Sequence, residues 1–386
     1  MIETPASGRL HIVLAGTRNS GKSSLLNALA GQQVSIVSDV PGTTTDPVSK
    51  AMEITGIGPC LLVDTAGLDD TGELGGKRVE NTLETLRTAD IVLLVLDPVT
   101  GDLPDLPATG APVLPVLSKC EMLDEGETGE RSAAIRDKYG KNPVPASAHT
   151  GTGIPAIIEA VKEALPEDWD APLLTAGVVE DGDLVVLVMP QDRQAPKGRL
   201  ILPQQQTLRE LLDRGCRIVC CTTDRLAAAL ASLNGTPDVI ITDSQAFKAV
   251  HELTPPGTRL TSFSILLAAG KGDIGYFREG ARKIDSLTSR SRILIAEACT
   301  HVPASEDIGR VQLPRLLRAR IGKGLQVDVV SGRDFPDDLT PYDLVIHCGA
   351  CMFNRRYVLA RVQQAKRQGV PMTNYGIAIA YMNNLL

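Results

Sequence analysis

Aromatic side chains are scarce in this sequence: Phe, Trp and Tyr together make up 3% of its 386 residues, with a single tryptophan. Proteins that read single-stranded nucleic acid stack its bases on aromatic faces. No such platform is visible, and no nucleic-acid partner is expected. Positive charge is not in excess either. The formal net charge is −7, which argues against a broad phosphate-binding surface. No apolar run approaches the ~20 residues that span a bilayer, so no membrane association is expected. The first residues, Met1-Ile2-Glu3-Thr4, lack the basic segment and apolar run of a secretory signal. A reducing cytoplasm is therefore the expected compartment, with the eight cysteines serving as core residues or metal ligands rather than disulfides. Hydrophobic residues make up 43% of the chain, ample for real cores, and its length suits about two or three domains.

One further shortage is informative. Cys299-Thr300-His301 and His347-Cys348-Gly349-Ala350-Cys351 form a split Cys/His motif with three cysteines, not four. Thiolate and imidazole donors in this arrangement suit a soft metal centre. Structural zinc would complete a Cys3His set. A [4Fe–4S] cluster would keep one iron with a weaker or exchangeable ligand. Spacing alone leaves both open. Each half follows a short β-like run, Arg292 to Glu297 and Tyr342 to Ile346. Both ligand groups are therefore expected at the carboxyl ends of strands, where open α/β sheets place their sites. Cys351 precedes a helix predicted over Asn354 to Gln368, whose N-terminus would stabilise a thiolate.

Near the start, the apolar strand His11 to Ala15 runs into Gly16-Thr17-Arg18-Asn19-Ser20-Gly21-Lys22-Ser23, followed by a helix from Ser24 to Ala30. This is a complete G-x-x-x-x-G-K-S phosphate loop in its strand–loop–helix context. Its glycines let backbone N–H groups wrap phosphates, Lys22 reaches the β and γ oxygens, and Ser23 binds Mg2+. A Pro/Gly-punctuated loop carries Gly42-Thr43-Thr44-Thr45-Asp46. The strand Leu61-Leu62-Val63 ends in Asp64-Thr65-Ala66-Gly67. Asp64 suits a magnesium held through water, and Gly67 suits a sensor of the γ-phosphate.

These segments resemble the switch regions of the GTPase branch that contains MnmE and Era. By that resemblance Thr44 is the switch threonine on Mg2+. Leu68 stands where Ras-like proteins place a catalytic glutamine. Asn19 matches the asparagine that helps hold K+ in potassium-activated members. The strand Val113 to Leu117 exits into Ser118-Lys119-Cys120-Glu121, against the usual Asn-Lys-x-Asp. Lys119 is kept, and Glu121 can accept from guanine with one extra methylene to place. Ser147-Ala148-His149 resembles the loop that closes over the base. GTP is thus the expected nucleotide, at weakened affinity, with ATP or loose specificity as the alternative. Its expected contacts are Asn19, Ser20, Gly21, Lys22, Ser23, Ser24, Thr44, Asp64, Gly67, Lys119, Glu121, Ser147 and Ala148. Cys60 and Cys120 read as small core residues.

A helix from Pro155 to Leu165 closes this domain, and Pro166 to Pro172 is a polar linker. The next stretch alternates strands at Leu184–Met189, Arg217–Thr222 and Val239–Thr242 with helices at Gln206–Arg214, Asp224–Leu233 and Ser244–Val250. Asp224 and Ser244 are the expected caps. No catalytic constellation appears there. An edge strand of such a sheet suits pairing with a second copy. Cys220 and Cys221 are expected to pack in the core, one on each face. The loop Pro190 to Leu200 is a solvated turn or, alternatively, brings Asp192 to the metal. The last stretch alternates strands at Arg292–Ala296, Gln326–Val330 and Asp343–Ile346 with helices near Ile274–Ser286, Gln312–Ile321 and Asn354–Gln368. A final strand is expected over Pro371 to Tyr375.

The predicted architecture is α/β: an N-terminal P-loop GTPase domain over residues 1–166, then two smaller parallel-sheet α/β domains over 173–262 and 263–386. An Era-like GTPase, a plain α/β domain and a C-x-H…H-C-x-x-C domain in this order resemble the HydF family of [FeFe]-hydrogenase maturation GTPases across essentially the whole chain. The resemblance implies a [4Fe–4S] cluster on Cys299, Cys348 and Cys351, with a non-cysteine fourth position for which His301, His347 and Asp192 are the candidates here. It also implies a homodimer through the middle domain. The function it implies is that of a carrier, which receives a two-iron precursor cluster from radical-SAM maturases and passes it to apo-[FeFe]-hydrogenase; the alternative, carried by the first domain, is an MnmE/Era-like GTPase acting in RNA modification or ribosome assembly.

Overall fold

The computed structural model describes residues 8–31, 38–40, 48–70, 73–107, 109–165, 173–190, 200–298, 308–332, 334–351 and 353–384. Thr44, Asp192, Cys299 and His301 lie outside the described residues. The chain forms two compact units, Met1–Asp170 and Ala171–Leu386. Among the described residues no helix is long and apolar enough to cross a membrane.

The first unit runs β1 (Leu10–Ala15), α1 (Lys22–Gly31), β2 (Ser38–Val40), β3 (Val48–Ile54), β4 (Gly58–Asp64), α2 (Glu73–Arg87), β5 (Ile91–Leu96), β6 (Val113–Leu117), α3 (Glu125–Tyr139), β7 (Val144–Pro145) and α4 (Ile154–Glu163). Its sheet has the order β2-β3-β4-β1-β5-β6-β7. The β2–β3 and β3–β4 pairings are antiparallel and the rest parallel. The parallel strands are apolar on both faces, as helices covering both sides require. Leu10, Ile12 and Leu14 pack with Leu25 and Leu29 of α1 and Ile157 of α4. Val13 and Ala15, on the opposite face, pack with Val63, Leu86 and Val92. The phosphate loop leaves β1 where the chain has strands on both sides, the switch point at which such sheets bind ligands.

The second unit holds two four-stranded sheets. The first contains β8 (Leu184–Val188), α5 (Leu202–Asp213), β9 (Arg217–Cys221), α6 (Leu226–Ala231), β10 (Val239–Thr242), α7 (Phe247–Leu253), β11 (Arg259–Ser262) and α8 (Phe263–Lys271), with sheet order β11-β10-β8-β9. The second contains α9 (Ile274–Arg282), β12 (Arg292–Glu297), α10 (Leu313–Ile321), β13 (Gln326–Ser331), β14 (Leu344–His347), α11 (Arg355–Arg367), β15 (Met372–Asn374) and α12 (Tyr375–Met382), with order β13-β12-β14-β15. Every pairing in both sheets is parallel. Helix α8 belongs to both packings. Phe263 and Leu266 sit in the core of the first sheet, and Ala268 in the core of the second.

Four sequence expectations need correction. Cys220 is exposed and Cys221 half-buried, because β9 is the edge strand of its sheet. Asp224 does not cap α6: it lies in a 3₁₀ turn, Thr223–Arg225, and accepts a bond from Thr222 instead. Ser244 does not cap α7, which starts after Ala246 without a side-chain cap. Cys60 is fully buried as expected, whereas Cys120 is only half-buried, in the 3₁₀ turn Cys120–Met122.

Candidate functional sites: a phosphate loop and a cysteine loop

The phosphate loop is shaped by its backbone. Gly16 has φ +153°, and a β-carbon there would strike the Val95 carbonyl of β5, so only glycine lets the loop pass under β5. Asn19 adopts the left-handed region at φ 57°. The buried Lys22 folds back over the loop, its Nζ donating to Gly16 O at 3.2 Å and Thr17 O at 2.6 Å. Burial lowers its pKa, against the opposing pull of Asp64, Asp69 and Asp70. The Ser23 hydroxyl donates to Asp64 Oδ2. Asp64 Oδ1 is buried with no hydrogen-bond partner, and burial raises the Asp64 pKa despite the Ser23 bond. A hydroxyl, a carboxylate with a spare oxygen and an ammonium poised over carbonyls fit a Mg2+–phosphate pair.

The segment after β4 is tied to this loop. Leu68 N–H donates to Gly16 O at 3.1 Å. Arg18 N–H donates to Asp69 Oδ1 at 2.7 Å, and Arg18 pairs with Asp70 at 3.3 Å. Gly67 lies against Arg18. Leu68 itself packs on the apolar cluster of Val13, Val63 and Leu86.

On the far side, Lys119 (φ 51°) spans three segments. Its Nζ donates to Asn19 O at 2.8 Å and to Asp97 Oδ2 at 2.7 Å. Ser118 Oγ shares its proton between Ser20 O (2.5 Å) and Leu96 O (3.0 Å). Cys120 N–H reaches Ala146 O at 3.2 Å, and Ser147 is fixed by Thr152 O and Thr150 N. Glu121 is exposed. The structure thus gathers Asn19, Ser20, Gly21, Lys22, Ser23, Ser24, Asp64, Gly67, Lys119, Glu121, Ser147 and Ala148 around the carboxyl ends of one sheet. Sequence reasoning missed Asp97, the buried partner of Lys119. Its signal is the lone acid closing the all-apolar Ile91–Leu96.

In the second unit, β12 and β14 are neighbours with Ala296 opposite His347, and Cys348 N–H donates to Ala296 O at 2.9 Å. The Cys348 sulfur accepts from Ala298 N at 3.1 Å and Ala350 N at 3.4 Å. Ala298, the residue before Cys299 in the chain, thus lies against Cys348. Ala350 is left-handed, φ 46°. Beneath the loop, buried Lys271 donates to Ala350 O (3.0 Å), Cys351 O (3.2 Å) and Phe353 O (2.8 Å). Burial brings its pKa down to about 8, against the opposing pull of Cys351 and Cys348. Two backbone N–H donors on a sulfur and a nearby buried ammonium are the surroundings of a thiolate, and they fit an anionic iron–sulfur cluster. With Cys299 outside the described residues, no three metal-binding side chains gather among those described.

His347 does not fit as the fourth ligand. Its Nδ1 bonds Cys348 O at 2.7 Å and its Nε2 faces Arg361 Nη1 at 3.1 Å. One ring nitrogen donates and the other accepts, so neither is left for a metal. Burial, with Arg361 beside it, pushes its pKa down to about 3. Arg361 is itself held by Gly332 O and by the rings of Phe335 and Tyr357.

Fold and site together define a P-loop GTPase domain joined to two parallel-sheet domains, the second bearing a cysteine loop. Residues 11–119 match the family of 50S ribosome-binding GTPases. The tRNA modification GTPase MnmE of Methylobacterium radiotolerans is 40% identical over 154 residues, covering 40% of this chain and 32% of that protein. MnmE of Polynucleobacter asymbioticus is 36% identical over 165 residues, covering 39% and 34%. The chain thus spans about a third of the length of these curated relatives. A crystal structure of Aquifex aeolicus Era aligns over 58% of this chain and 98% of that one, at 20% identity and a TM-score of 0.35. Residues 174–272 match the hydrogen maturase F dimerization domain, and residues 275–386 its tetramerization domain. Together these two cover more than half of the chain, which belongs to the hydrogen maturase F family, HydF. The cysteine loop lies within the region matched as the tetramerization domain, and the two matched domains together support self-association of the chain.

Proposed function

We propose that this chain is a GTP-controlled scaffold and carrier in [FeFe]-hydrogenase maturation. It binds a [4Fe–4S] cluster through Cys299, Cys348 and Cys351. It receives a two-iron precursor cluster from radical-SAM maturases and delivers it to apo-[FeFe]-hydrogenase. The observation that carries this reading is the 3.1 Å bond from Ala298 N–H to the Cys348 sulfur, which supports a shared site because Ala298 immediately precedes Cys299 in the chain. Cys299, Cys348 and Cys351 would supply three thiolate ligands to such a cluster, which would leave one iron open to a ligand of the incoming precursor. His301 and Asp192 remain the candidates to close that position.

In the nucleotide site, Lys22 neutralises the β and γ phosphates, while Ser23, Thr44 and Asp64 hold Mg2+. Gly67 senses the γ-phosphate, and Asn19 with K+ adds positive charge where it develops on hydrolysis. Leu68 packs on the core and supplies no water-positioning group, in keeping with slow intrinsic hydrolysis. Loss of the γ-phosphate releases the segments around Thr44 and Gly67 and changes how partners dock. The working units are residues 1–166 for nucleotide, 173–262 for the dimer and 263–386 for the cluster.

The test is EPR on anaerobically reconstituted, dithionite-reduced protein, with and without added imidazole or cyanide, followed by activation of apo-[FeFe]-hydrogenase. A reduced [4Fe–4S] signal that shifts with added ligand, together with hydrogenase activation, supports the proposal. A silent protein holding one zinc overturns it.

A further inference from the structure

The last residue of α8, Lys271, reaches the Cys348–Cys351 loop through its side chain. The Lys271 ammonium is buried at 7% exposure and donates to the carbonyls of Ala350, Cys351 and Phe353 at 3.0, 3.2 and 2.8 Å. Carbonyls only accept, and a neutral amine has two N–H bonds, so three such contacts call for the charged form. No carboxylate pairs with it among the described residues. A buried, unpaired ammonium is costly unless something anionic faces it, and the loop it holds is the one that carries Cys348 and Cys351.

The same loop carries the complementary half of the arrangement. Ala350 sends its carbonyl to Lys271 and its N–H to the Cys348 sulfur, while its backbone is left-handed. Lys271 therefore fixes the carbonyl side of a turn whose N–H side serves the sulfur. It also comes from the segment matched as the dimerization domain, whereas the loop lies in the segment matched as the tetramerization domain.

We propose that Lys271 is a positioning residue of the metal centre, holding the Cys348–Cys351 loop in its ligating shape and placing a fixed positive charge beside the cluster. This rests on the cluster reading above. A positive charge favours the reduced, more negative state of the cluster, so its loss makes reduction harder.

The test uses the full chain as wild type, Lys271→Met and Lys271→Gln, each reconstituted anaerobically with iron and sulfide. Iron per chain, the EPR signal, the midpoint potential and melting of the apo forms are measured. Lys271→Gln keeps N–H donors without charge. It is expected to load iron with the reduced-to-oxidised ratio lowered about tenfold at a given potential, a shift of about 59 mV to the negative side. Lys271→Met is expected to lose most of its iron as well. Variants that load fully at the wild-type potential overturn the role of Lys271. So does a lower apo melting temperature with any loaded fraction at the wild-type potential, which marks a purely structural residue. A wild-type chain that takes up no cluster overturns the cluster reading itself.

Discussion

Glu297 and Arg310 join the two ends of the segment that carries Cys299 and His301. Arg310 Nε and Nη2 donate to Glu297 Oε2 at 3.2 and 2.9 Å, and Ser331 Oγ adds a third bond at 3.1 Å. Glu297, the last residue of β12, is 2% exposed. Arg310 lies in a π-helical turn, Ile308–Gln312, a form frequent at functional sites. A β-carbon on Gly309 would press on Glu297 and Tyr375, so this turn also depends on a glycine. The pair sets where the cysteine-bearing segment leaves the sheet and where it returns.

Arg310→Ala removes the cation and leaves a buried carboxylate. Because Arg310 is about a third exposed, water recovers part of the loss, and a destabilisation of about 2 kcal/mol is expected. Circular dichroism during urea unfolding measures it. Iron retained through gel filtration should fall in parallel, since the ends of the ligand segment are no longer fixed. The paired neutral change Glu297→Gln with Arg310→Gln should recover most of both. Undiminished iron retention in Arg310→Ala would show that the segment is positioned by other contacts.

In the phosphate site, burial disfavours the charged forms of both Asp64 and Lys22. Burial, the main cause for each, raises the Asp64 carboxyl above its ordinary range and lowers the Lys22 ammonium below its own. A raised carboxyl stabilises the fold below its unfolded pKa, and that contribution is lost as pH rises through the folded pKa. A lowered lysine stabilises it above its unfolded pKa, and that contribution is lost as pH falls through the folded pKa. At neutral pH both groups therefore weaken the nucleotide-free protein. Asp64→Asn should melt higher than wild type without nucleotide at neutral pH, and the gap should close in acid once the wild-type carboxyl is protonated. The same variant should lose Mg2+-dependent GTP hydrolysis. A nucleotide-free Asp64→Asn that melts lower at neutral pH would contradict this balance.

The guanine end offers a gain rather than a loss. Glu121 is exposed in the middle of a 3₁₀ turn, one methylene longer than the usual aspartate. Charge-assisted hydrogen bonds contribute about 1.5–3 kcal/mol, so Glu121→Ala should weaken GTP binding by about 10- to 100-fold while leaving ATP binding unchanged. Glu121→Asp should tighten it. Competition with a fluorescent GTP analogue measures both. Equal losses of GTP and ATP in Glu121→Ala would place the base elsewhere.

The first unit was legible in the sequence because its signals are local. The strand–loop–helix around Lys22 and the strand tip at Asp64 need no knowledge of distant residues. Asp97 was not legible, since its partner Lys119 comes from the next strand. The cysteine motif announced itself by composition, but its support did not. Lys271 lies about eighty residues from the carbonyls it holds, and Arg361 gave no sign that it would occupy His347. The exposure of Cys220 follows from the edge position of β9, which depends on strand order rather than on any property of that pentapeptide.

Cys348 and His347 are adjacent and should behave in opposite ways. Cys348→Ala removes a thiolate ligand and should abolish the cluster. The phosphate loop lies in the other compact unit, so GTP hydrolysis should stay within about twofold of wild type, and loss of both activities together would show the units to be coupled. His347→Ala should keep the cluster signal and its response to imidazole or cyanide, because both ring nitrogens already serve protein partners. Its effect should fall on stability. The Cys348 carbonyl and an Arg361 donor lose their partner in the interior, at about 1–3 kcal/mol each, and His347→Gln, which can donate and accept at once, should recover part of that. EPR with added ligand, run beside thermal melts, separates the two roles. A cluster in His347→Ala whose fourth iron site binds exogenous ligand more readily than wild type would return His347 to the candidate ligands.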